Sequence, residues 1–353
     1  MVLVRVEMLA RQYDKAEEQL HKMVQENPND LDARAGLGDL YAMKKDAGKA
    51  EAEYGQMKRI APTNPAGSTK LGNLFAREGK PDKARIEFEA ALKLAPDSPM
   101  LLASVLRSYL AEKKYDLATS LCEGRIKKNA NDALAYDLLG QVDVSRKDFK
   151  KAEEAFNKAA ELQPNWVDPL RNLAQLYVIQ GQTDTAIKRL EDRLTSAPDD
   201  VNARFMLAQL YNTTRKYPSA MDQYEKILQK LPDNSAAEND LAFILCEQGK
   251  SGKDLDRALT LAQKAVNARP DEPSMEDTLG WVYYKRGDLN HASDLIGKAY
   301  LKAGDNPVIA YHMGMVSYKA GKPAEAKTYL AKAVKSSVPF EGKEEAQKTL
   351  EKL

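Results

Sequence analysis

The chain has 353 residues, of which 30% are charged, but 53 Lys and Arg against 52 Asp and Glu leave a formal net charge of +1. Because a nucleic-acid surface needs a strongly basic face, this balance argues against nucleic-acid binding, and it also excludes an acidic tail. The two cysteines, Cys122 and Cys246, form no CxxC pair, and no stretch approaches the roughly 20 apolar residues of a membrane helix.

The N-terminal stretch MVLVRVEMLARQ has a short apolar patch that reaches Arg5 and Glu7 too early for a signal-peptide core. Residues 1–30 predict a clipped first helix followed by a complete second helix. We therefore expect Met1 to begin a fragment of a longer helical array, with any signal sequence absent from this chain.

Alanine recurs every 34 residues from Ala16 to Ala220, and after one step of 38 residues the series resumes at Ala258, Ala292 and Ala326. A proline stands twelve residues after most of these alanines, and matching segments such as LGDLY, LGNLF, LAQLY and LGWVY precede them. A fixed period of this length is typical of repeat architectures, in which each unit buries its apolar face against the next.

Each unit divides into two predicted helices. In the first, a large residue, a Leu, a Gly or Ala and a Tyr occupy positions 4, 7, 8 and 11, which share one face of a helix. A turn that commonly contains Gly and Lys follows, and proline ends the second helix because it lacks an amide proton and clashes with the preceding turn. Four extra residues in KSGKDLD predict a longer turn in the unit that begins at residue 235.

This pattern resembles the tetratricopeptide repeat (TPR), and the resemblance covers nearly the whole chain. It implies an all-α fold, a right-handed superhelical α-solenoid of about ten TPR helix pairs with a C-terminal capping helix. The array is predicted over residues 1–340, followed by a capping helix at 341–353. Its units are a partial one at 1–30 and full ones at 31–64, 65–98, 99–132, 133–166, 167–200, 201–234, 235–272, 273–306 and 307–340.

The last 80 or so residues carry a narrower resemblance. The segments DTLGWVYYKRGD, YHMGMVSYKAGKPAEAKTYLAKAV and PFEGKEEAQKTLEKL are similar to the C-terminal ends of bacterial TPR lipoproteins of exosortase/PEP-CTERM exopolysaccharide systems. This resemblance implies a periplasmic or outer-membrane-associated location, within a bacterial envelope or exopolysaccharide assembly.

The sequence predicts no catalytic residues, no metal site and no cofactor. His21, His291 and His312 lie in separate units, and each repeat of a solenoid contacts only its neighbours. We expect these histidines to be solvated and Cys122 to pack as a small hydrophobic residue. No glycine-rich phosphate loop and no GxSxG or HExxH motif occurs, so the chain is not predicted to be an enzyme.

Positions 5, 9 and 12 of each first helix form a second stripe, which in TPR proteins lines the concave surface where ligands bind. Early units carry small or polar side chains there, middle units carry amides, and the last units carry aromatic rings. The stripe predicts a partner-binding groove of Arg171, Gln175, Phe205, Gln209, Asn212, Asn239, Phe243, Asp277, Trp281, Tyr284, Tyr311, Met315 and Tyr318. We expect Trp281 and Tyr284 to face a ligand, as large rings do in binding hot spots; the alternative is that they pack against neighbouring helices.

The family's clamp for a peptide carboxylate is not matched. It needs Lys at position 5 and Asn at position 9, followed by Asn and basic residues at defined positions of the next units. Asn73 stands at position 9 but follows Thr69, and the next unit offers Ala103 and Ser104. A receptor for the C-terminal tails of chaperones is therefore disfavoured.

The sequence thus predicts a non-catalytic scaffold that binds a protein or peptide segment in its groove. One alternative is a carbohydrate-binding module of a polysaccharide export or modification machine, with Trp281 and Tyr318 stacked on sugar faces. Another is an accessory domain of a larger enzyme. Nucleic-acid binding is disfavoured because the stripe includes Asp39, Asp137 and Asp277.

Overall fold

A computed structural model of the chain describes residues 1–10 and 12–353. In these ranges the chain forms twenty-one α-helices and no strand, which confirms the predicted all-α class. The chain divides into two compact units, Met1–Leu176 and Tyr177–Leu353.

The first unit contains ten helices before the one in which the boundary falls. They are α1 Val2–Leu9, α2 Tyr13–Glu26, α3 Leu31–Met43, α4 Ala47–Ile60, α5 Ala66–Arg77, α6 Pro81–Leu94, α7 Pro99–Ala111, α8 Tyr115–Lys128, α9 Ala133–Arg146 and α10 Phe149–Leu162. Helix α11, Val167–Ile179, contains the boundary.

The second unit continues the same alternation of helix and short turn. Its helices are α12 Thr183–Ser196, α13 Val201–Thr213, α14 Tyr217–Lys230, α15 Ser235–Gln248, α16 Gly252–Ala268, α17 Pro273–Arg286, α18 Leu289–Ala303, α19 Pro307–Lys319, α20 Pro323–Lys335 and α21 Lys343–Leu350. The odd-numbered helices from α1 to α19 are the first helices of ten pairs, and the even-numbered ones are the second helices.

Consecutive helices pack against one another from α1 to α10 in the first unit and from α12 to α21 in the second. First helices of neighbouring pairs also contact one another directly, as α7 does α9, α15 does α17, and α17 does α19. This nearest-neighbour stacking is that of an α-solenoid, as predicted. The side of the first helices that carries positions 5, 9 and 12 is called the first-helix face below.

Five of the ten first helices begin at an aspartate or asparagine side-chain cap. An aspartate or asparagine oxygen accepts a backbone N–H from the first helical turn, which satisfies a donor that has no partner within the helix. Residues that do this are Asp30, Asp132, Asp200, Asn234 and Asn306. Such caps stabilise a helix by about 1 kcal/mol each, so they fix where the pairs begin.

The periodic small residues are explained by close contact between the two helices of a pair. The alanines of the 34-residue series are no more than 1% exposed. A Cβ added to Gly38 would lie 2.2 Å from the Tyr54 ring, and one added to Gly140 would lie 2.5 Å from the Phe156 ring. Only a hydrogen at these positions allows the aromatic ring of the second helix to lie against the first.

The extra residues of KSGKDLD do not lengthen a turn, so that prediction is wrong. Helix α16 has 17 residues, whereas most other second helices have 14, and only three residues, 249–251, separate it from α15. Ser251 and Asp254 form a capping box at its start, each side chain bonded to the backbone N–H of the other. The added residues therefore become an extra helical turn.

Among the residues that the structure describes, none belongs to a helix that combines the length and the apolar character needed to span a membrane.

Candidate functional site

The residues of the predicted groove lie in three different environments. Four are exposed: Arg171, Gln175, Gln209 and Tyr318. Four are half-buried: Phe205, Asn212, Phe243 and Tyr284. Five are buried: Asn239, Asp277, Trp281, Tyr311 and Met315.

Trp281 is only 2% exposed, because rings and charged groups of neighbouring helices surround it. Its indole stacks on Tyr284, with ring centroids 4.4 Å apart, and on His312, with centroids 3.9 Å apart. The indole Nε1–H donates to Glu247 Oε1 at 2.6 Å. The expectation that Trp281 faces a ligand is therefore wrong, and the alternative of packing against neighbouring helices holds for this residue. A sugar face has no access to the ring either.

His312 lies in the same cluster and is not solvated, so that expectation is also wrong. It is 2% exposed, and its Nδ1 lies 2.8 Å from Asp277 Oδ2. The other oxygen of Asp277, Oδ1, has no hydrogen-bond partner in the described part of the chain. The pair forms because α17 and α19 are adjacent first helices that bring position 5 of one against position 6 of the next.

The segment that follows α20 covers Tyr311. The Phe340 ring lies 5.8 Å from the Tyr311 ring, and the Tyr311 hydroxyl donates to Glu345 Oε2 at 2.7 Å. Gly342 has a φ of +94°, and a Cβ there would lie 2.4 Å from the Tyr311 ring. Burial and the bond to Glu345 raise the pKa of Tyr311. The backbone conformation of Gly342, which only glycine adopts readily, therefore lets the segment lie directly against Tyr311.

The same segment reaches three helix pairs back along the chain. The Tyr217 hydroxyl, at the start of α14, donates to Glu341 Oε1 at 3.0 Å. Burial and this hydrogen bond raise the pKa of Tyr217. Since repeats contact only their neighbours, a contact across 124 residues requires the segment to run over the stacked helices instead of extending the stack.

We call residues 336–342, which precede α21, the C-terminal strap. The sequence prediction placed residues 336–340 in the last repeat and 341–353 in a capping helix, and it missed the contacts of Phe340 and Glu341. The signal was PFEG, a ring and an acid between proline and glycine, in an otherwise polar stretch. Helix α21 follows the strap with Ala346 buried and with Leu350 and Leu353 packed on the apolar cluster of this unit.

Comparison with known families matches three regions of the chain, which together span residues 7–238. Residues 112–238 match the family described as "Cytochrome c-type biogenesis protein H TPR domain", and residues 7–74 and 69–131 match two families described as "Tetratricopeptide repeat". No curated protein matches the chain in sequence.

Solved structures share the fold at low sequence identity. A chain of the APC/C hetero-tetramer Cut9-Hcn1 is similar with a TM-score of 0.53 and 13% identity, covering 99% of this chain and 74% of that one. A chain of the human IFIT1 dimer with m7Gppp-AAAA has a TM-score of 0.52 and 14% identity, covering 95% of this chain and 84% of that one. At these identities the similarity shows the fold alone.

Proposed function

Because the chain is built from tetratricopeptide repeats, we propose that it is a non-catalytic scaffold that binds a segment of a partner protein on its first-helix face. TPR folds are typically non-catalytic, and such repeats generally mediate protein–protein interaction. The observation that supports the proposal most directly is the C-terminal strap. This extended piece of chain rests on Tyr311 of that face through the Phe340 ring.

The strap indicates which chemistry the face offers to a peptide. Tyr311 on the face contacts the Phe340 ring of the strap and donates its hydroxyl to Glu345 of α21, while Tyr217 of the second helix α14 donates to Glu341 of the strap. These are contacts that a foreign segment makes equally well, since an aromatic anchor in a pocket and a polar bond at its rim are common in interfaces.

The part of the face that the partner contacts is proposed from exposure. Tyr318 is 39% exposed and, with the half-buried rings of Phe243 and Tyr284, offers amphipathic surface to a ligand. Lys319 lies 4.7 Å above the Tyr284 ring and adds a positive charge beside it. In the second unit we assign contact with the partner to Phe205, Gln209, Asn212, Phe243, Tyr284 and Tyr318. In the first unit we propose the exposed Arg171 and Gln175 as separate partner contacts. The remaining groove residues are buried and are assigned to packing within the unit: Asn239, Asp277, Trp281, Tyr311 and Met315.

The experiment is a selection of displayed peptides on the immobilised full chain, followed by affinity measurements on variants. Phe243→Ala and Tyr318→Ala should each weaken a selected peptide by about 30-fold, since hot-spot residues are worth about 2 kcal/mol or more. Tyr300→Ala, at a half-buried tyrosine of the second helix α18, is the matched control. Peptides that bind both face variants as well as the unchanged chain would refute the assignment.

The setting is a further part of the proposal. The resemblance of the last 80 or so residues supports a partner within a bacterial envelope or exopolysaccharide assembly. Cross-linking in intact cells through a photoreactive residue at position 318 tests this directly. Recovery of only cytosolic proteins would contradict it. Carbohydrate binding is not proposed, because the Trp281 ring expected to stack on a sugar is enclosed.

A further inference from the structure

A second feature of the first-helix face lies in the other unit, where a pocket opens between α5 and α7. Its volume is about 770 Å³, and Ala84 and Phe88 of α6 form part of its lining. Asn73 and Arg77 of α5 and Arg107 of α7 also line it. The pocket therefore combines an apolar floor with two cationic side chains.

The pocket is explained by one departure from the repeat. At position 10 of the first helix, α7 carries Ser108, whereas the other full units carry a larger aliphatic residue. These residues are Leu40, Leu74, Val142, Leu176, Leu210, Ile244, Val282 and Val316. Ser108 is buried, and its hydroxyl donates to the Ser104 carbonyl at 3.0 Å within its own helix. The missing aliphatic side chain leaves room between α5 and α7.

The two arginines of the pocket have no carboxylate partner among the residues that the structure describes. Arg107 Nη2 donates to Ser104 Oγ at 3.1 Å, which uses one of its five N–H donors. By contrast, nearby Arg85 is paired with both Glu89 and Glu112. No acidic side chain lines the pocket. Two guanidinium groups in a concave site without counter-charge attract an anion.

We propose that this pocket binds an acidic segment of the partner protein, with a carboxylate held by Arg77 and Arg107 and an adjacent apolar side chain on Phe88. A guanidinium offers a planar fork of donors that matches a carboxylate, and Asn73 adds an amide donor at the rim. The apolar floor favours a peptide over a small inorganic anion, because it takes a side chain as well as a charge. This inference rests on the proposed function and names the chemistry of the segment.

The site differs from the family's carboxylate clamp. That clamp uses Lys at position 5 and Asn at position 9 of one unit, and here position 5 is Thr69. The arginines stand at position 13 of one first helix and position 9 of the next. The recognition is therefore created by this chain's own substitutions, with Ser108 providing the room.

The test uses fluorescein-labelled synthetic peptides and the full chain, with binding followed by fluorescence anisotropy at physiological ionic strength. The acidic peptide is GSFELDGS, its amide counterpart is GSFQLNGS, and a third peptide carries phosphoserine at the two acidic positions. We expect the acidic peptide to bind at least about tenfold more tightly than the amide peptide, because hydrogen bonds to charged groups are the stronger ones.

Variants connect that preference to the pocket. Arg77→Gln and Arg107→Gln should each weaken the acidic peptide about tenfold and leave the amide peptide unchanged. Ser108→Leu restores the residue type of the other repeats, fills the pocket and should abolish binding, with helical content checked by circular dichroism. Arg59→Gln, an exposed arginine on the second helix α4, is the matched control.

The outcomes separate this inference from the proposed function. If the acidic and amide peptides bind alike, or if binding survives Arg77→Gln with Arg107→Gln, the pocket assignment is overturned while peptide binding at Phe243 and Tyr318 stands. Absence of binding by all three peptides overturns it too, and so does tighter binding of the phosphopeptide. If the acidic preference follows the arginines but no displayed peptide depends on Phe243 or Tyr318, the inference holds and the proposed face assignment falls.

Discussion

The buried pair of Asp277 and His312 gives the sharpest quantitative test of the structure. His312→Leu leaves the Asp277 carboxylate buried with neither oxygen bonded, since Oδ1 already has no partner in the described residues and Oδ2 loses its only one. Leaving a buried polar group without its hydrogen-bond partner costs about 1–3 kcal/mol, and more where the group is a charged carboxylate. Replacing both, as Asp277→Leu with His312→Leu, removes that charge, so most of the loss should be recovered.

The assay is urea unfolding followed by the fluorescence of Trp281, which stacks on His312. Trp166 is replaced by Phe in every variant so that the emission reports this unit alone, because arrays of repeats unfold by parts. His291→Leu is the matched control, since His291 pairs with Asp288 at the surface, and its effect should be much smaller. The reasoning is refuted if His312→Leu lowers the free energy of unfolding by less than about 1 kcal/mol, or if the double variant is less stable than His312→Leu alone.

Three further predictions concern turn conformation, the contact between paired helices and a buried carboxyl group. Lys147 has a φ of 63°, a conformation that glycine adopts more readily, so Lys147→Gly should stabilise the chain by about 0.5–1 kcal/mol. Gly321 has a φ of +73° with open space around it, so Gly321→Ala should destabilise the chain by a similar amount. Thermal melting of the two variants measures both effects. Gly140→Ala should lower the free energy of unfolding by about 1–3 kcal/mol, because the added Cβ would clash with the Phe156 ring. The urea midpoint of the variant should fall accordingly, and an unchanged midpoint would contradict that contact. Burial raises the pKa of Asp137 above its ordinary 3.8 although two amides donate to it. The contribution of Asp137 to stability is therefore largest below pH 3.8 and is lost as pH rises through the raised pKa of the folded state. Asp137→Asn should reduce the fall in unfolding free energy between these two pKa values. Urea titrations at several pH values measure it.

The helices and their pairing could be predicted because their causes repeat. A small residue must stand wherever two helices of a pair approach closely, so the alanine series and the glycines at 38 and 140 appear at a fixed period. The period alone was also the basis of the wrong prediction for the extra residues near Ser251. A period shows that residues have been added, but the capping box of Ser251 and Asp254 decides whether they extend the turn or the helix.

The environment of the groove residues could not be predicted in the same way. A stripe at positions 5, 9 and 12 points away from the contact within its own pair, but the pattern of one helix does not reveal what the next first helix places over it. Trp281 is enclosed because α19 brings His312 and Tyr311 against it, 30 or more positions further along the chain. Tyr284 and Tyr318 share position 12 of their helices, yet Tyr284 is half-buried while Tyr318 is exposed.

The C-terminal strap connects these two results. It lies on Tyr311 of the first-helix face at the end of the array and bonds to Tyr217 of the second helix α14 three pairs earlier, so it covers the Tyr311 part of that face. The part of the first-helix face that the strap leaves exposed in this unit is polar or lies beside charged side chains, as around Tyr318. In the other unit, no described segment fills the pocket of Arg77 and Arg107, and no described acidic side chain lines it. A partner segment with an acidic and an apolar residue side by side therefore fits both the chemistry that the strap uses and the chemistry that the pocket offers.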